Sequence, residues 1–374
     1  NRGRVYNNMY LRWVKSQFAD PQGEIGLGAT QDNDNNTVVF GDRLIWQTDF
    51  GKHFVLKKGA AYIHEWFLPQ DYDASSPIGS ASKRQQINFF LEPHFYLFDD
   101  KFTLSLLGES LNSFYNINNN DPSLATPGTF FSDRTENQFA ATAYAKYRLP
   151  GDLNAKASLG RVVRLPRFIE MFGDQGNVVG NPALSSEKGI KFDLGFIWSR
   201  KFKGHVIRQA TVEADYFESH LDDLIQFEMA AGYARAANIG KARIRGFELL
   251  VSGKIWKYFD CSANYTLQQA VDLAASGNDL VGRPRHELNT GVEFATGAFT
   301  AAADVNYTDG QYLDALNTQR INNRLLLNLN ASYLIKEKYR ISLEAKNLTN
   351  SQIVDAVGFP LPGRSFFGRV GAFF

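Results

Sequence analysis

The chain has 374 residues, with 40 Lys and Arg against 39 Asp and Glu and a formal net charge of +1. That balance leaves no electrostatic footprint for nucleic acid. The single cysteine excludes an internal disulfide and a multi-thiolate metal site, and no run reaches the roughly 18 apolar residues of a membrane helix.

Aromatics make up 14% of the residues while mean hydropathy is −0.29, which suits strands with one apolar face better than a uniformly apolar core. In chain order, spacing predicts strands over 4–18, 24–31, 38–48, 53–68, 84–98, 102–115, 136–148, 153–164, 188–199, 205–218, 245–252, 258–266, 286–295, 298–308, 324–335, 339–347 and 364–374. The period is two throughout. Phe192, Leu194, Phe196 and Trp198 alternate with Lys191, Asp193 and Ser199. Phe259, Cys261, Ala263 and Tyr265 alternate with Asp260, Ser262 and Asn264. In the last strand Phe366, Gly368, Val370, Ala372 and Phe374 share one face, and Ser365 and Arg369 share the other. No segment repeats apolar residues at i, i+3 and i+4, so no helix is predicted.

Connections alternate in length. Tight ones are read at 20–23, 49–52, 99–101, 149–152, 200–204, 253–257, 296–297 and 336–338, and long polar ones at 69–83, 116–135, 165–187, 219–244, 267–285, 309–323 and 349–363, with 32–37 as a shorter member of the second set. Short turns on one side and long loops on the other describe an antiparallel up-and-down transmembrane β-barrel of the outer-membrane type. A soluble sandwich or propeller also alternates, but its strands are shorter and a propeller repeats by blade. The count is seventeen, and an odd number cannot close antiparallel. Either the count is off by one, or residues 1–374 are the C-terminal part of a larger barrel, and the second is the expectation.

Residues 160–195 carry a family resemblance. Arg164, Pro166, Glu170, Phe172, Gly173, Gly180, Asn181, Pro182, Leu184 and Glu187 stand in the order found in TonB-dependent outer-membrane receptors, with Met171 in place of the usual Leu and Ser186 in place of the usual Pro. Gly240, Gly246 and Glu248 resemble a later segment of that family, as do Gly282 to His286. Asn347, Arg364 and the closing Phe374 resemble its ending. The resemblance spans 160–374. It implies a barrel of about 22 strands around a plug, with the plug and first strands outside this chain. It also implies a bacterial outer-membrane location and active uptake of a scarce large solute, most often a ferric siderophore. TonB would act through the plug segment, membrane lipid and lipopolysaccharide would surround the wall, and no cofactor is implied, because any iron is cargo.

Other motifs carry less. The prolines and glycines of 161–187 read as pinning a long loop, with Glu170 and Glu187 free to pair with Arg161, Arg164 or Arg167. Asp32 to Asn36 is oxygen-rich but lacks EF-hand spacing and reads as a solvated loop, as does Asn116 to Asp121. The six histidines form no zincin pair. The five tryptophans read as interface anchors. Phe227, Tyr233, Arg235, Tyr312 and Arg320 are the ligand-contact candidates, since aromatics with arginine suit a planar anionic chelate. The alternatives are a passive porin or structural barrel, and an outer-membrane hydrolase with its catalytic residues spread across strands.

Overall fold

Nearly every segment of period two forms a strand in the computed structural model, which describes residues 2–24, 30–71, 81–118, 131–173, 178–204, 206–230, 233–274, 277–351, 354–356, 359–360 and 362–373. The long strands are β1 (Arg2–Asp20), β2 (Gln31–Phe50), β3 (Phe54–Asp71), β4 (Ser82–Leu97), β5 (Phe102–Asn118), β6 (Phe131–Arg148) and β7 (Leu153–Arg164). A single helical turn, α1 (Phe168–Phe172), and the two-residue β8 (Val178–Val179) follow. Then come β9 (Glu187–Lys201), β10 (Ile207–Ala230), β11 (Tyr233–Ile255), β12 (Phe259–Asp272), β13 (His286–Thr296), β14 (Phe299–Asp309), β15 (Arg324–Ile335) and β16 (Tyr339–Lys346). A small hairpin of β17 (Val354–Ala356) and β18 (Phe359–Pro360) precedes the last long strand, β19 (Ser365–Ala372).

Among the described residues the long strands number sixteen, not seventeen. The predicted strand at 24–31 falls largely on residues 25–29, which lie outside the described set, while β1 and β2 on either side of it pair directly with each other. The turn read at 20–23 therefore belongs to the loop side. The polar stretch 32–37 is not a loop but the start of β2, where Asn33 faces Phe18 and Asn35 faces Ser16 on β1. The loop read at 219–244 is mostly the ends of β10 and β11.

The chain divides into two units. Unit one holds 1–145, 158–191 and 220–241, and unit two holds 146–157, 192–219 and 242–374. In unit one, β1 to β5 pair in sequence order in antiparallel register. The burial on β4 runs opposite to that of a soluble sheet: Ser82 is 1% exposed, with Arg84, Gln86 and Asn88 also buried, while Phe89 is 54% exposed beside Ile87 and Leu91. In unit two, β11 to β16 and β19 form a second antiparallel series. Its register puts Val292, Ala303, Leu329 and Ala345 on one face and Gly291, Asp304, Asn328 and Glu344 on the other. Large apolar side chains that face outward while polar ones face in are the signature of a wall whose outer solvent is hydrocarbon.

Aromatic pairs gather at the short turns of each unit. In unit one Phe50 stacks on Phe54 at 5.4 Å, and Phe54 meets Phe95 at 5.1 Å. Phe259 and Phe294 are 4.9 Å apart in unit two, near Trp256 and Phe299. These are the aromatic girdles expected at a membrane boundary. No helix among the described residues is long and apolar enough to cross a membrane.

Candidate functional site

In unit one the connection after β7 folds back over the polar face of β3 to β6 as a strap. Phe168, Met171 and Phe172 of α1 pack with Phe67, Tyr115 and Ile117 from the wall. Two wall arginines hold the strap's backbone: Arg84 donates to the Pro166 carbonyl at 2.6 Å, and Arg134 to the Leu184 carbonyl at 2.8 Å. Arg84 also pairs with Glu65 at 2.5 Å and lies over the Phe168 ring. A cation aimed at neutral carbonyls is strengthened by the dry surroundings.

The ends of the strap meet at Arg164. Its Nε and Nη2 donate to the two oxygens of Glu187 at 2.7 and 2.6 Å, and its Nη1 donates to both oxygens of Glu170 at 3.0 and 2.9 Å. Glu170 also accepts the Arg167 N–H, and Glu187 accepts the Ile225 N–H. Of the three arginines the sequence offered, Arg164 takes both carboxylates with its side chain, while the Arg161 side chain turns to the Phe139 carbonyl. Asn181 donates to the Ala236 carbonyl at 3.0 Å and accepts from Ala183, next to a packed trio of Leu184, Ile225 and Ala236. Pro166 is fully buried, and Pro182 sits in the turn after Asn181. Gly173 has φ +70, and a Cβ there would collide with the Val178 carbonyl, so only glycine closes this turn without strain. Gly240 lies in β11 and is exposed.

Unit two has its own laced loops. Gly282 N–H bonds the Tyr312 carbonyl at 2.9 Å and Asp279 N–H bonds Asn317 Oδ1 at 2.7 Å, while Arg285 pairs with Asp279 at 2.8 Å. Burial acts upward on the Asp314 carboxyl. The N–H groups of Gln319 and Thr318 and the Thr318 hydroxyl outweigh it and hold its pKa below the ordinary carboxylate value. Gly246 lets the Phe217 ring pack directly on β11, and Glu248 stands exposed on the same face. Asn347 ties down the final connection, donating to the Ser351 and Pro362 carbonyls at 2.9 and 3.0 Å. Arg364 donates to the Leu348 carbonyl at 3.0 Å. Phe374 lies outside the described residues.

The ligand-contact candidates fall in both units. Phe227 and Arg235 are exposed on β10 and β11 of unit one. Tyr233 opens β11, and its side chain lies outside what is described. In unit two Tyr312 and Arg320 face each other across an antiparallel bridge, and Arg320 pairs with Asp309 at 3.1 Å.

Sequence reasoning missed Glu65, Arg84 and Arg134, whose partners lie far along the chain and leave no local motif. Ser105 Oγ and His94 Nδ1 are hydrogen-bonded at 2.6 Å, and Glu92 lies 3.2 Å from His94 Nε2, which has no hydrogen-bond partner. Ser105 and His94 are both 9% exposed, so the pair offers little room for a substrate carbonyl. Asp32 to Asn36 is not a loop but strand, with Asn33, Asp34 and Asn35 buried and Asp34 paired to Lys15. Asn116 donates to Asp133 from β5, and 119–121 lie outside the described residues. No group of three His, Cys, Asp or Glu able to hold a metal occurs among the described residues.

A family model described as TonB dependent receptor-like, beta-barrel matches residues 2–348. The vitamin B12 transporter BtuB of Photobacterium profundum is 21% identical over 231 residues, covering 59% of this chain and 35% of the transporter. The solved copper transporter OprC superposes with a TM-score of 0.77 at 16% identity, covering 99% of this chain and 62% of that one. The FrpB iron transporter from Neisseria meningitidis gives a TM-score of 0.72 at 12% identity over 98% of this chain and 60% of that one. The chain thus spans about a third of the curated relative and about three-fifths of the two solved chains.

Proposed function

Because the chain belongs to the TonB-dependent receptor family and forms an outer-membrane β-barrel of that family's type, we propose that it is the barrel wall of a receptor that takes up a scarce large solute, a ferric siderophore first among the candidates. The family's characterised members are transporters and receptors rather than enzymes. The observation that carries the proposal is the match over 2–348 together with a wall polar inside and apolar outside. Residues 1–374 form a single domain in this reading, the C-terminal part of a barrel that continues in further strands with a plug inside. What supports this is that the chain spans only about three-fifths of the two solved chains it resembles. TonB would act through the plug, and the ligand would meet Phe227, Tyr233, Arg235, Tyr312 and Arg320. The related proteins named above handle iron, copper and vitamin B12, so those solutes define the trial set.

The test is uptake by cells in which the whole gene is deleted and then restored. The proposal expects uptake of a labelled ferric siderophore to fall on deletion, to return on restoration, and to be abolished by a protonophore. A passive porin would give uptake indifferent to the protonophore, and unchanged uptake of the siderophore, copper and vitamin B12 would contradict the receptor reading.

A further inference from the structure

We propose that the outward face of unit two carries a seat for the phosphate of a membrane lipid, formed by Arg243 and Arg245 above a floor of Phe247 and Leu267. The proposal rests on the reading that this face meets lipid.

Along β11 the outward residues are Val251, Leu249 and Phe247, and then Arg245 and Arg243. Their neighbours on β12 are Ala263, Tyr265, Leu267, Gln269 and Val271. Phe247 is 60% exposed. The face changes from apolar to polar at one level: Arg245 on β11 stands beside Gln269 on β12, and His286 on β13 lies opposite Leu267. From Ile255 at the short turn up to Arg245, a rise of about 3.3 Å per residue and a tilt of about 45° give roughly 23 Å, close to the roughly 25 Å height of an outer-membrane apolar band. Arg245 therefore stands at the far boundary of that band, where lipid headgroups lie.

Arg245 Nε and Nη2 both donate to the neutral Gln269 Oε1, at 3.2 and 3.0 Å. The Nε of Arg243 is buried without a hydrogen-bond partner. Neither makes an ion pair among the described residues. The nearby Glu218 carboxylate is already engaged by the Tyr216 hydroxyl at 2.5 Å, and His286 Nδ1 by the Tyr265 hydroxyl at 2.8 Å. A groove lined by Tyr216, Arg245, Phe247, Leu267, Gln269 and His286 opens here. A planar guanidinium offering two parallel N–H donors fits a phosphate better than the single amide oxygen it now holds. A lipid is the fitting bearer because the floor is apolar and continuous with the outward face below it. A free anion would gain nothing from Phe247 and Leu267.

Native mass spectrometry of the detergent-purified chain tests the idea with three probes: dioleoyl phosphatidic acid, dioleoylglycerol and inorganic phosphate. The expected result is that phosphatidic acid binds more tightly than dioleoylglycerol and that excess inorganic phosphate fails to displace it. The Arg243→Gln/Arg245→Gln double variant should lose about tenfold in affinity for phosphatidic acid with its weaker binding of dioleoylglycerol unchanged. If that variant loses heat-modifiable migration, and so its fold, Arg245→Lys is read in its place, with an intermediate loss expected because a point charge replaces the fork. Unchanged phosphatidic acid binding in the variant overturns the proposal, and so does full displacement by inorganic phosphate. Wild-type protein that binds neither lipid and shows no heat-modifiable migration contradicts the membrane reading itself.

Discussion

An Arg164→Met chain is expected to lose about 3–5 kcal/mol of stability, because removing one partner of a buried ion pair strands the other as an uncompensated charge. Here two carboxylates are stranded. The side chains of Glu170 and Glu187 are 8% and 11% exposed, while that of Arg164 is 33% exposed, which places the expectation toward the lower figure. The loss would fall on the strap. Both of its ends are joined through this guanidinium, so amide hydrogen exchange should quicken across 165–187, while the β15 and β16 ladder keeps its protection. Arg164→Lys should recover part of the loss, since one ammonium cannot fork to both glutamates. Adding Glu170→Gln and Glu187→Gln to Arg164→Met should recover more, because no buried charge then remains. Additive losses in that triple variant would show that the three side chains do not act together.

Leu343→Arg is expected to cost about 2–4 kcal/mol, the penalty for a cation on the lipid face near the bilayer middle. Leu343 is 64% exposed and sits roughly 12 Å above the short turn at 336–338, taking the same rise and tilt. In water an exposed leucine is replaced by arginine at little cost. Ser342→Arg, one position away on the polar face, should shift stability by no more than about 0.5 kcal/mol. The contrast between neighbours is the informative quantity, and urea unfolding in detergent or lipid vesicles measures it. Equal costs at the two positions would mean that the two faces see the same medium.

Where the membrane imposes a period of two, the sequence could be read strand by strand. The faces of β12, β15, β16 and β19 match the alternation of Phe259 to Tyr265, Leu325 to Tyr333, Ile341 to Ala345 and Phe366 to Ala372. Beyond the apolar band that signal vanishes, because a strand end there meets lipid on neither face. This is why Asp32 to Asn36 read as a loop and why the long ends of β10 and β11 were absorbed into a connection. The turn α1 spans Phe168–Phe172, too short to show a period of 3.6. Arg164, Glu170 and Glu187 were legible as a group because all three belong to one motif. Arg84 and Pro166 lie 82 positions apart, and Arg134 and Leu184 lie 50 apart. No local pattern brings such pairs together, and only the inward fold of the strap does so.

The central claim is that alternate side chains of these strands face hydrocarbon. Single nitroxide labels at successive positions from Leu325 to Leu334 of β15, with the protein reconstituted in lipid vesicles, test it most directly. The account predicts high oxygen collision rates at 325, 327, 329, 331 and 333, and contact with a water-soluble relaxation agent at the positions between them. Ten labels with no alternation, or odd positions shielded from oxygen and water alike, would contradict it.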